Sequence, residues 1–438
     1  MSAEGPGAAT QIAICVPDNI GRLIGKRLPA GRWDEICRAG MPMPDYFLVT
    51  GVDNRPHGDL AVTGYHTGFN NGVLRPLPAT RFTLPTEPDT AFFLADAVRA
   101  DGTPYEEAVR NILARQIARL AKHGLTASFA SELEFYLYRT SYAEAFAGDY
   151  RSLTPFHHRH ADNDILNAGF AEPFLAAVRA AMAANGIACE ATQGEGGVGQ
   201  YEINIRHAEP LAMADRHVLF KHLVKALAQE RGLAATFMAK PSESEPGSGG
   251  HIHLSLQDGR GEPALGADGS LSEPGRSFLA GLLSYTPELT LLHAPLVNSY
   301  RRLQPGSFAP INVCWSGDNR TAMVRVLGCA VTRFEFRLPG ADMNPYLSFA
   351  AVLIAGLEGI DRRLAPPPPI AGSAYGKELP TVPGDLSEAT ALFAGSALAA
   401  QALTPAVHAH LLALARKERD EHRRAVTGWQ LRRYFDTA

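Results

Sequence analysis

The chain has 438 residues, 46% of them hydrophobic and 20% charged, with 41 basic and 45 acidic side chains and a formal net charge of −4. That composition supports a large buried core and excludes a disordered chain, a collagen-like repeat and a small disulfide-stapled scaffold. The balanced charge favours neither nucleic acid nor an anionic membrane as partner, and no apolar run is long enough for a transmembrane helix.

The opening stretch, Met1 to Ala9, is small and polar, without the basic and apolar regions of a signal peptide. The five cysteines, Cys15, Cys37, Cys189, Cys314 and Cys329, are widely spaced and form no Cys-x-x-Cys pair. They are expected to be reduced, mostly buried thiols of a cytoplasmic protein. Residues 10–100 alternate short apolar runs with turn residues, which predicts a small strand-rich domain. The segment Asp101-Gly102-Thr103-Pro104 reads as the junction to a second domain over 103–438. Helical periodicity follows from Tyr105 to Lys122, with Thr103 and Glu106 spaced as a capping box. Pro173–Asn185, Leu211–Arg231, Leu271–Leu292 and Pro345–Leu364 also read as helices, Pro366–Pro369 as a stiff surface connector, and Val407–Trp429 as a charged, solvated helix.

Between the helices lie strands whose alternation separates two kinds of face. Ser131–Tyr138 places Glu132 and Glu134 opposite Leu133, Phe135 and Leu137. Gln200–Ile205 places Gln200, Glu202 and Asn204 on one face, and His251–Leu256 does the same with His251, His253 and Ser255. Arg333–Leu338 presents Arg333, Glu335 and Arg337. One such strand is an ordinary solvated edge. Four of them, reading Glu-x-Glu, His-x-His and Arg-x-Glu-x-Arg, predict a single wall with an acidic patch beside an arginine patch.

Glu132, Glu134, Glu195, Glu202 and Glu335 are hard oxygen donors and His251 adds a nitrogen, a set suited to Mg²⁺ or Mn²⁺. So many carboxylates repel one another unless cations neutralise them, and five or six ligands imply two or more ions. Arg302, Arg320, Arg325, Arg333 and Arg337 require anions, phosphate or carboxylate. Cations and arginines facing one cavity are the apparatus of phosphoryl transfer.

Two motifs mislead. Gly194–Gly199 matches G-x-G-x-x-G, but a strand follows it where a dinucleotide site needs a helix. Gly21–Lys26 is one residue short of a phosphate-binding loop and lacks the Ser or Thr after its lysine. His157, His158 and His160 read as surface histidines of a loop.

In order along the chain, the sequence resembles the glutamine synthetase family. The resemblance rests on Ser131-Glu-Leu-Glu-Phe135, Glu195 with Gly-Gln-Tyr-Glu202, and Lys240-Pro with Gly247-Ser-Gly-Gly-His-Ile-His253. It rests also on Asn298-Ser-Tyr-Arg-Arg-Leu303, Asp318-Asn-Arg320, Arg333-Phe-Glu-Phe-Arg337 and Asn344-Pro-Tyr346. It implies an α+β fold: a small N-terminal β-grasp domain, then a catalytic domain whose curved antiparallel sheet is flanked by helices. It implies stacked rings, typically a dodecamer, with the active site between subunits. The implied chemistry is ATP-dependent activation of the glutamate γ-carboxylate as an acyl phosphate, followed by attack of an amine.

By the same resemblance Glu134, Glu195 and Glu202 hold one metal, and Glu132, His251 and Glu335 a second. Arg320 and Arg325 hold ATP phosphates, Arg333 lies near the nucleotide, and Ser255 and Glu190 fall at nucleotide-contact positions. Arg302 and Arg337 bind glutamate carboxylates and the acyl phosphate, with Gly247 near the glutamate backbone.

The departures bear on the acceptor. Ammonia-using members carry a flap glutamate where this chain has Phe308, in Pro305-Gly-Ser-Phe-Ala-Pro310. Their ammonium-binding Asp-Gly-Ser-Ser segment is also missing, with only Asp53 nearby, and Pro246 replaces an asparagine before Gly247. Ammonium needs an anion to capture it and take its proton, whereas a phenyl ring offers apolar contact. An organic amine is therefore the expected acceptor, before ammonia. The alternatives from the sequence are an ordinary ammonia-dependent glutamine synthetase, a silent structural or regulatory relative, and a kinase that phosphorylates without ligating.

Overall fold

The computed structural model describes residues 5–328 and 330–437, so Cys329 lies outside the described residues. The N-terminal strands form one mixed sheet in the order Leu23–Pro29, Gln11–Pro17, Glu87–Val98, Asn71–Pro76, Met41–Pro44, with Phe82–Leu84 added beside Glu87–Val98. Gln11–Pro17 runs parallel to Glu87–Val98 and antiparallel to Leu23–Pro29. With the short helix Trp33–Ala39 this is the β-grasp arrangement.

Both faces of this sheet are covered, which explains why its central strands read as nearly unbroken apolar runs. Ile12, Ile14, Val16, Ala91 and Phe93 enter a small core of their own, with Phe47 and Tyr105. Ala13, Cys15, Phe92 and Leu94 face the other way, into the large core of the following residues.

The second sheet has eight strands. Its order is Cys189–Gly194, Gln200–Ala208, Leu125–Tyr138, Gly250–Asp258, Arg333–Phe336, Val324–Leu327, Trp315–Gly317, with Ala234–Thr236 pairing the end of Leu125–Tyr138. All neighbours are antiparallel except the last pair. Its apolar face, including Leu133, Phe135, Tyr201, Ile203, Ile252, Leu254, Phe334 and Phe336, shares one core with residues of the helices Pro210–Glu230, Glu273–His293 and Pro345–Asp361.

Pro345–Asp361 is buried almost all round, as its uniformly apolar sequence requires. Asn344 caps it by accepting from the Tyr346 N–H, and Pro345 at the first helical position needs no donor there. The Asn344 amide also donates to the carbonyls of Asp18 (3.2 Å) and Asn19 (3.0 Å), tying the N-terminal sheet to the large core.

Some sequence expectations change. The first long helix begins at Val109, with no side-chain cap. Thr103 instead bonds to Asp101 through its N–H (2.9 Å) and its hydroxyl (2.6 Å), and Tyr105 is drawn into the small core. The charged C-terminal helix breaks after Arg424 and resumes at Gly428–Tyr434, and Val407, Leu411, Leu412 and Ala415 bury one face of its first part. Of the described cysteines, Cys15 and Cys314 are buried, while Cys37 is exposed and Cys189 half-buried. His157 is not a surface residue: it is buried between His158 and Phe170.

Candidate active site

The four chemistry-bearing strands are adjacent, and their register sets the polar residues side by side. Glu202 faces Glu134, and Asn204 faces Glu132. Glu132 faces His251 on its other side, His253 faces Glu335, and Glu335 faces Arg325. Directly opposed side chains on one face are close enough to interact. Potential ligand atoms of Glu132, Glu202 and His251 lie within 4.8 Å of one another, as do those of Glu132, His253 and Glu335. His253 was legible as a polar-face residue but absent from the expected metal set; its Nε2 lies 2.8 Å from Glu132.

The electrostatics divide this wall in two. Burial pushes Glu195 up to about 7, and Glu134 beside it adds to the effect. Burial also raises Glu202 well above the usual carboxylate range, reinforced by Glu132, Glu134 and Glu195. Gln193, which sequence reasoning did not single out, donates to both Glu195 (2.9 Å) and Glu202 (3.2 Å). At the other end, burial opposes ionisation of Glu335, but Arg337 and then His251 and His253 overcome it and hold its carboxyl low. Arg325 bonds to Glu335 at 2.8 Å and Arg337 bonds to the other carboxylate oxygen. Burial likewise opposes ionisation of Glu132, and hydrogen bonds from His251 and His253 outweigh it. Glu134, Glu195 and Glu202, crowded and mutually repelling, with Arg302 near only the first, fit divalent cations, the hard-donor chemistry expected from their sequence.

The glycine-rich segment packs against this wall. Glu134 accepts from the Gly249 N–H (2.8 Å) and from Gln200 (2.9 Å), which also donates to the Gly247 carbonyl (3.0 Å). A Cβ at Gly249 would stand 2.7 Å from both the Glu134 Oε1 and the His251 Nε2. At Gly247 it would meet the Arg302 Cγ at 2.7 Å. Arg302 is buried, donates to the Leu338 carbonyl (3.0 Å) and lies 3.4 Å from His251 Nε2.

Glu132, Glu190, Ser255 and Arg333 line one cavity of about 500 Å³, together with Asn204 and His207. Arg320 is exposed beyond the Asp318 turn, and Arg325 bonds to Asp318 as well as Glu335. Phe308 is 63% exposed, at φ 57°, in the segment that follows Arg302. Arg337 reaches the Phe308 carbonyl (3.4 Å), and the Tyr375 hydroxyl donates to the Ala309 carbonyl (2.9 Å). Asp53 is exposed in a turn and pairs with Arg55 at 3.6 Å. Gly194–Gly199 leads into a strand and Gly21–Lys26 lies in a hairpin, so neither cradles a phosphate at a helix N-terminus.

An acidic and histidine wall beside clustered arginines, on a β-grasp plus curved-sheet frame, is the arrangement of an ATP-dependent ligase. Residues 106–434 match the glutamine synthetase catalytic domain, and the chain belongs to the glutamine synthetase family as an ATP-dependent carbon–nitrogen ligase. It is 42% identical over 432 residues to γ-glutamylethanolamide synthetase of Streptomyces coelicolor, covering 98% of this chain and 93% of that one. It is 36% identical over 400 residues to glutamate–isopropylamine ligase of a Pseudomonas species, covering 89% and 87%. The solved structure of ligand-free GmaS superposes with a TM-score of 0.85 at 28% identity, covering 98% and 97%. Among the described residues no single helix is long and apolar enough to cross a membrane.

Proposed function

We propose that the chain joins the γ-carboxylate of glutamate to a small organic amine, using ATP, through a γ-glutamyl phosphate. The observation that carries this reading is Phe308: an exposed phenyl ring beside an otherwise complete acidic and arginine site. The names of the two amine ligases among its relatives support it.

In this reading Glu134, Glu195 and Glu202 would hold one Mg²⁺ or Mn²⁺, and Glu132, His251 and Glu335 another. Such ions, when bound, neutralise the phosphate charge and polarise the transferred group. Glu190, Ser255 and Arg333 line the nucleotide cavity. Arg320 and Arg325 bind the phosphates. Arg302 and Arg337, beside Gly247, hold the glutamate carboxylates and then the acyl phosphate. A γ-carboxylate oxygen attacks the γ-phosphorus and ADP leaves. The neutral amine nitrogen then attacks the acyl carbon, phosphate departs with that carboxylate oxygen, and the nitrogen gives up one proton to the departing phosphate or to solvent. The amine's carbon substituent rests on Phe308, where a carboxylate would serve ammonium instead.

The same reading places residues 10–100 and 103–438 as two domains, with copies assembled in a ring. The exposed Phe146, Ile165, Leu166 and Phe170, and Trp429 and Phe435 near the end of the chain, support contacts between copies.

The test is isotopic. Glutamate labelled with ¹⁸O in its γ-carboxylate, turned over with ATP and ethanolamine, should give the γ-glutamyl amide and phosphate carrying one ¹⁸O. Unlabelled phosphate would refute the acyl phosphate, and glutamine formed with ethanolamine in excess over ammonia would refute the acceptor.

A further inference from the structure

A further cavity, of about 520 Å³, lies between the N-terminal hairpin and the helix Pro210–Glu230. Its lining includes four basic side chains: Arg22, Lys221, His222 and Lys225. Lys221 and Lys225 are one helical turn apart, so they share a face. Their ammonium groups stand 5.4 and 6.0 Å from the same Phe237 ring.

Arg22, Lys221 and Lys225 face only Asp18 and Asp342 as counter-charges, while burial holds the His222 ring below its ordinary range despite Glu87, leaving it a neutral donor. Arg22 is committed to Asp18, at 2.7 Å. Lys221 donates to the Ala341 carbonyl at 2.8 Å and feels Asp342, the one acid in the lining. Lys225, at the mouth, has neither a hydrogen bond nor an ion pair among the described residues. Lys221, half-buried, is depressed to about 7 by desolvation and further opposed by Lys225, which is itself exposed at the mouth. Nothing in the catalytic reading uses any of these residues.

We propose that this cleft binds a small oxyanion, a phosphate or a dicarboxylate, between Arg22, Lys221, His222 and Lys225. Such an anion supplies the charge that the fold omits, and charge-assisted hydrogen bonds from partly desolvated cations are strong.

The cleft is also connected to the arginine patch. Asp342 accepts from Ser299 at 2.6 Å, and its other oxygen is buried without a hydrogen-bond partner. Ser299 lies in the turn Val297–Arg301 that presents Arg302, and Arg302 also feels Asp342. An anion that draws Lys221 away from Asp342 therefore changes the charge facing Arg302. This second part rests on Arg302 binding glutamate; the binding itself does not.

The test titrates inorganic phosphate, and separately malonate, calorimetrically into the full-length protein with ADP and Mg²⁺ saturating the nucleotide cavity. Saturable binding is expected, weakened by at least ~10-fold in both Lys225→Ala and His222→Ala and retained in Lys225→Arg. Phosphate alone, or malonate alone, binding in this way identifies the anion class. No saturable binding of either, or equal binding by wild type and both alanine variants, overturns the site. Binding that leaves the KM for glutamate unmoved in wild type overturns the coupling while the site stands. A protein that binds the anion but makes no γ-glutamyl amide leaves the site intact and refutes only the catalytic reading.

Discussion

At the residue scale, the proposed choice of acceptor turns on Phe308. A carboxylate there would attract ammonium strongly and accept its proton; a phenyl ring attracts a cation only weakly and accepts no proton. Phe308→Glu is therefore expected to raise ammonia-dependent kcat/KM by about 10-fold or more, while turnover of a small alkylamine falls. Steady-state ADP release with each acceptor checks this, and an unchanged ammonia rate would count against it. Gly249 makes a different demand, because its missing side chain lets Glu134, His251 and Arg302 converge. Gly249→Ala should cost about 10²-fold in kcat, the usual penalty for misplacing reacting groups by an ångström, with little loss of secondary structure by circular dichroism. Phe308 was legible only through the family resemblance, and Gly249 only as part of the glycine-rich motif that carries it. Gln193, Tyr375 and Asp342 were not, because a lone glutamine, tyrosine or aspartate signals nothing until the fold sets it against a carboxylate, a flap carbonyl or a buried lysine.

At the scale of elements, strict alternation made the chemical strands readable, since period two forces all polar residues of a strand onto one face. Their neighbours were not readable: register comes from packing between segments far apart in sequence. The predicted start of the first long helix failed for a related reason, as the small core claimed Tyr105 and the Asp101 turn claimed Thr103. The helices beneath the sheet carry a pH liability. His293, at the end of Glu273–His293, bonds to Ser348 of Pro345–Asp361 at 2.8 Å, and burial lowers it to about 3. The unfolded chain binds that proton more readily, so the neutral ring's contribution is complete above about 6.5 and is lost as pH falls towards 3. Chemical denaturation between pH 7 and 4 should show stability falling with acid, and a shallower fall in His293→Asn. An identical pH slope in the two proteins would assign the acid limb to other groups.

For the whole molecule, the proposed cation site at Glu134, Glu195 and Glu202 predicts that metal ions add to folding stability. Mg²⁺ at a hundred times its dissociation constant should add about 2.7 kcal/mol, read as a rise in Tm, and Glu202→Gln should abolish most of that rise. An equal rise in both proteins would place the cation elsewhere. A strand-rich N-terminal stretch was visible in composition, but how its sheet joins the large core was not. Phe92 and Leu94 were apolar positions like any others until the sheet was seen to serve two cores.

The central claim is that this ligase takes an organic amine in preference to ammonia. It is tested most directly by ADP release with glutamate and Mg²⁺ across ammonia, short alkylamines, ethanolamine, diamines, polyamines and anilines. The account predicts efficient turnover with one class of amine and little with ammonia. Highest kcat/KM with ammonia would contradict it, and would mean that an acid from elsewhere does what Phe308 cannot.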